Sequence, residues 1–171
     1  MSNLMKKNQP ESQVHTIPPL YDRGSKILIL GSFPSVKSRE SGFFYGHPQN
    51  RFWKVWSALL GQREPMSIAE KKELLLRNGI ALYDVIASCT IAGSSDSSIR
   101  DVEPADLAPI FREAEIGQVF CNGGTSYRLY RKYQEEKTGR EAIKLPSTSP
   151  ANAAFRLEKL LAEWRICLDF L

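Results

Sequence analysis

The chain of 171 residues is 42% hydrophobic and 25% charged, which fits one ordinary domain with room for a substantial core and gives no reason to divide it. Lys and Arg number 23 against 19 Asp and Glu, a net charge of +4 that suits a protein approaching phosphates without requiring one. No apolar stretch reaches the ~18 residues of a membrane helix, and the opening "MSNLMKKNQPESQVH" lacks the apolar heart of a signal peptide, so a cytoplasmic protein with no membrane contact is expected.

In chain order, residues 1–15 read as a polar tail and 16–171 as the single folded domain. "KILIL" (26–30) is continuously apolar and stops at Gly31, the pattern of a strand buried on both faces. After a long loop, "NRFWKVWSALLG" places Phe52, Trp56, Leu59 and Leu60 at helical spacing, and Gly61 ends the run. "SIAEKKELLLRNG" predicts a second helix, opened by a Ser67/Glu70 capping box and closed by Asn78-Gly79. "IALYDVI" reads as a strand, "SCTIAGSSDSSIRD" as a polar loop, "EPADLAPIFREA" as a helix and "QVFCN" as a strand ending at Gly123-Gly124. "SYRLYRKYQEEKTG" is helical, "AIKLP" a short strand, "STSP" a turn and "ANAAFRLEKLLAEWR" a final helix. Strands alternating with helices predict right-handed crossovers, hence a three-layer α/β/α domain around a short, mostly parallel central sheet. Ligands in such sheets bind beyond the carboxyl ends of the strands. That rule selects the loop after Leu30, the region after Asp84, the stretch "CNGG" and the turn "LPSTSPANA".

Several chemistries are absent from these segments. There is no GxxxxGK phosphate loop, no dinucleotide glycine pattern and no GxSxG elbow. Cys89, Cys121 and Cys167 stand far apart, as buried thiols rather than a zinc or iron–sulfur set, so neither metal nor cofactor is expected. What remains is amides, hydroxyls, aromatics and backbone. In "LPSTSPANA", Ser149-Pro150 has the form of a helix N-cap followed by proline, but Ser147 and Thr148 add hydroxyls to a turn suited to seat a phosphate. In "GFFYGHPQN", Asn50 is a competent cap for the next helix, while Tyr45 between glycine and proline offers a platform for a flat ring. Asn122 either ties down the turn after its strand or reads a nucleobase edge with its paired donor and acceptor. A hydrolase using His47 and Asp84 is a further reading of the same rim.

The order of "GSFPSxxS…GFFYGHPQNRFW", a strand-end "NG" and "PSTSPANA" resembles the uracil-DNA glycosylase superfamily, and within it the hypoxanthine-DNA (deoxyinosine) glycosylase family. The resemblance spans about residues 26 to 164. It implies a cofactor-free, monomeric repair enzyme that acts on double-stranded DNA containing a deaminated base, flips the nucleotide and hydrolyses its N-glycosidic bond without a lyase step. Relatives that act on thymine or mismatches carry an Asn, and uracil-type ones an Asp, where this chain has Phe33, which disfavours uracil excision by the usual mechanism. The resemblance moves catalysis to Asn50, which would either orient water or donate to the departing base. It assigns Phe33, Tyr45 and Asn122 to the base, and Ser35, His47, Ser147, Thr148, Ser149 and Pro150 to the DNA. A uracil- or mismatch-type glycosylase, or an inactive DNA-binding member of the fold, are the alternatives.

Overall fold

The structure is a computed structural model and describes residues 9–171. Four parallel strands form the central sheet in the order β3-β2-β6-β7: β2 (Ile27–Gly31), β3 (Ile80–Asp84), β6 (Gln118–Asn122) and β7 (Ala142–Leu145). Every residue of β2 is buried, because consecutive side chains point to opposite faces and both faces are covered. Ile27 and Ile29 pack into one core with α2 (Phe52–Leu60), α3 (Ile68–Arg77) and α7 (Leu157–Trp164). Leu28 and Leu30 enter the opposite core with α4 (Ala108–Glu113) and α5 (Gly124–Tyr133). The expected layered sheet is therefore present, with a short α1 (Val36–Ser41) after β2 and α6 (Glu135–Thr138) after α5.

Three local expectations are corrected. The segment read as the polar loop "SCTIAGSSDSSIRD" contains most of β4 (Ile86–Ala92) and the start of β5 (Arg100–Pro104), which join β1 (Pro10–Val14) in an antiparallel sheet of order β1-β4-β5. β4 buries Ile86, Cys89 and Ile91, a spacing broken by its irregular register against β5, and its polar outward face resembles loop sequence. The reading of 1–15 as a tail fails for its last part: Pro10–Val14 form a strand and the His15 N–H donates to Ala87 O at 2.7 Å, while residues 1–8 lie outside the described residues. The last helix begins at Leu157 instead of about residue 151, because the carbonyls of Ser149, Asn152 and Phe155 are taken by the Arg51 guanidinium. Among the described residues no helix is long and apolar enough to cross a membrane.

The candidate base pocket and its DNA-facing rim

The carboxyl ends of all four parallel strands converge on one cavity of about 160 Å³, below the ~300–1,000 Å³ of drug-sized sites and on the scale of a single flat ring system. Gly31 ends β2, Asp84 ends β3, Asn122 ends β6, and the turn from Ser147 to Pro150 follows β7. The loop after β2 supplies Phe33, Ser35, Phe44, Tyr45, His47 and Asn50.

Tyr45 has φ +51°, a left-handed conformation that a large side chain seldom adopts. The fold holds it there: its ring stacks on Phe52 at 4.1 Å and 18°, and the Trp53 indole N–H donates to its carbonyl at 3.1 Å. Its hydroxyl oxygen is buried, has no hydrogen-bond partner among the described residues, and titrates far above the ordinary phenol range, first through burial and then through the Asp84 charge. Phe33 is buried at the pocket wall, edge-on to the His15 ring, with the Arg39 guanidinium over it.

Asn50 has one half of its amide occupied. Its Oδ1 accepts from the Phe52 N–H at 3.0 Å and from the Thr148 hydroxyl at 2.8 Å, so both lone pairs are used. Asn50 lines the pocket, and its Nδ2 group meets no acceptor among the described residues. With the oxygen engaged, the amide keeps its N–H groups as the donors it can offer a ligand. The cap role expected from its sequence is also present, through the same Oδ1.

Asn122 is committed in the opposite sense. Its Oδ1 accepts from the Thr148 N–H and its Nδ2 donates to the Thr148 hydroxyl, both at 3.0 Å. This amide pins the turn, as one of its two expected roles required, and it keeps a second N–H and a second lone pair at the pocket wall. Thr148 is fully buried, with its hydroxyl between the two asparagines and its carbonyl accepting from the Arg51 N–H at 3.1 Å. Its hydroxyl hydrogen and its N–H are both engaged within the protein. The Ser35 hydroxyl caps α1, accepting from Ser38 N–H and donating to Ser38 Oγ, and likewise has no hydrogen left for a phosphate. Ser147 and Ser149 differ: each accepts one internal N–H, from Ser149 and Ala151, which leaves its O–H free at the half-exposed rim beside Pro150. His47 uses Nδ1 to accept from Gln49 N–H, leaving Nε2 free at the same rim.

Two residues of this region with buried side chains had no role in the base-release reading, Asp84 having figured only in the hydrolase one. Asp84 lines the cavity, and its Oδ2 receives the Nε2–H of His15 at 2.7 Å. Asp84 stood out only as a strand-end acid, and His15, 69 positions away, carried no local signal. Among the described residues no group of His, Cys, Asp or Glu could hold a metal ion.

The carboxyl edge of the parallel sheet thus carries a pocket walled by aromatics and rimmed by a serine-rich turn, of a size that a single ring system would fill. The chain belongs to the uracil DNA glycosylase superfamily, whose family description it matches over residues 18–169. It is 32% identical over 148 residues to a hypoxanthine DNA glycosylase of Methanosarcina acetivorans, covering 86% of this chain and 92% of that one. A hypoxanthine DNA glycosylase of Methanosarcina barkeri is 37% identical over 87 residues, covering 50% and 55%. A solution NMR structure from Methanosarcina acetivorans, described as a candidate uracil DNA glycosylase, superposes with TM-score 0.77 at 30% identity, covering 91% of this chain and 96% of that one.

Proposed function

We propose that this chain is a monofunctional DNA glycosylase that releases a deaminated base, foremost hypoxanthine, from double-stranded DNA. The observation that supports this reading is the Asn50 amide, locked through its oxygen by two donors and left with unpartnered N–H groups on a residue that lines the same pocket as Tyr45. A base inside a duplex is out of reach, so the nucleotide is flipped, at a cost of roughly a few kcal/mol that stacking on Tyr45 and contacts from Ser147, Ser149, Pro150 and His47 to the strand offset. As the C1′–N9 bond lengthens, positive charge builds on the sugar and negative charge on the leaving ring. Preorganised donors aimed at that ring lower the barrier, and Asn50 is placed to be one. Water then supplies hydroxide to C1′ and a proton to the base. Of the two roles for Asn50, donation to the base is favoured over orienting water, because no lone pair of Oδ1 is free to accept from a water molecule.

Duplexes carrying one inosine, uracil or xanthine test the reading. Incubation with the protein followed by alkali is expected to cleave at inosine, and the absence of base release from all three would remove the enzymatic reading. An inactive DNA-binding member of the fold would instead show salt-sensitive duplex binding without release.

A further inference from the structure

The hydrolytic reading leaves the two buried polar side chains at the closed end of the pocket without a task. Their side chains are 1% exposed for His15 and 6% for Asp84. The Ile17 N–H donates to His15 Nδ1 at 3.2 Å, so that nitrogen carries a lone pair and the ring hydrogen resides on Nε2, from which it is donated to Asp84 Oδ2. The imidazole is a neutral clamp: it fixes the carboxylate without cancelling its charge. Asp84 Oδ1 has no donor among the described residues and lies over Gly31, 2.4 Å from where a Cβ would stand. The unpartnered Tyr45 hydroxyl is 3.3 Å from that same point. Glycine at position 31 is therefore what admits both groups to the floor.

Position in the pocket says what the free oxygen meets. Asn50, Ser147 and Ser149 are half-exposed at the mouth, whereas Asp84 is 4% exposed. A flipped nucleotide enters base first while its sugar stays with the strand, so the floor faces the edge of the base farthest from the sugar. In a purine that edge is N1 and C6. We infer that Asp84, positioned by His15, is the acceptor that selects bases bearing a ring N–H beside a carbonyl, taking the N1–H of hypoxanthine and repelling the N1 lone pair of adenine. A buried acceptor left unpaired or set against a lone pair is costly, which is how such a site rejects a base that differs by one hydrogen. The inference rests on the base-release reading above and deepens it.

The test is made by binding, so that it stands apart from turnover. Duplexes carry non-hydrolysable 2′-fluoro nucleotides of hypoxanthine, of unsubstituted purine (which lacks both the N1–H and the carbonyl) or of adenine. The protein is expected to bind the hypoxanthine duplex roughly tenfold to a hundredfold more tightly than the other two. In Asp84→Asn the His15 Nε2–H holds the amide oxygen and turns the NH2 toward the base, so donor meets donor. Affinity for the hypoxanthine duplex should fall at least tenfold, while affinity for a duplex with a tetrahydrofuran abasic site stays unchanged. His15→Ala should shrink the hypoxanthine-to-adenine ratio with the abasic affinity again unchanged. Equal affinity of the unaltered protein for hypoxanthine and purine would overturn the inference, as would Asp84→Asn losing turnover at undiminished hypoxanthine affinity, which would place the carboxylate at the sugar. Absence of base release by the unaltered protein would sink the hydrolytic reading alone, since the affinity ratio still decides this one.

Discussion

At the scale of single residues, Asn50 combines two jobs that one substitution separates. Asn50→Asp keeps an oxygen for the Phe52 N–H and the Thr148 hydroxyl but replaces the donating NH2 with an acceptor. It should fold with little loss and release hypoxanthine roughly 10²–10³-fold more slowly in single-turnover assays. Asn50→Ala removes both jobs and should also cost roughly 1–3 kcal/mol in urea denaturation. The aromatic and amide residues of this pocket were legible in the sequence because a glycine- and proline-punctuated loop concentrates them beside a strand end. The internal bonds of Thr148 were not legible because a hydroxyl in a serine-rich turn is ordinarily solvated, and only the meeting of Asn50 and Asn122 across the fold engages it. The His15–Asp84 clamp was invisible because its members are joined by topology, not by spacing.

At the scale of elements, the rim depends on Arg51, which closes the turn after β7 by donating to the carbonyls of Ser149, Asn152 and Phe155. A planar fork of donors can reach three acceptors, whereas an ammonium cannot hold the same spread. Arg51→Lys should therefore lower stability by roughly 1–3 kcal/mol, and hydrogen exchange should speed at the Ser149 and Ala151 amides. The central strands and α2, α3 and α5 were readable from runs and periodicity, since burial on two faces or one stripe writes itself into residue type. β4 and β5 were not, because an antiparallel strand with one wet face and a register shift carries no continuous apolar run. The late start of α7 was hidden for a different reason: local propensity favoured a helix through "ANAAF", and a side chain roughly a hundred positions earlier had already claimed its carbonyls.

For the whole molecule, the three cysteines make the protein sensitive to alkali without making it reactive. Burial raises the thiols of Cys121 and Cys167 to about 12 and that of Cys89 to about 11, against an ordinary value of 9.0. Below pH 9 folded and unfolded chains both hold these protons, and the thiols contribute no pH dependence. Above pH 9 the unfolded chain releases them and the folded chain does not, so stability falls as pH rises, levelling only beyond 11 to 12. Each thiol accounts for roughly 1 kcal/mol at pH 10. Urea titrations at pH 8 and pH 10 should show this drop, and replacement of the three cysteines by alanine should reduce it to the smaller fall that the raised tyrosines, Tyr45 foremost, contribute. A different vulnerability follows from β1, which among the described residues pairs only with β4 and exposes most of its residues. Edge strands fray at a free energy below that of global unfolding. The clamp behind Asp84 is attached to this strand, so discernment between bases is tied to an exposed edge of the smaller sheet. On warming, selectivity melts before the scaffold does.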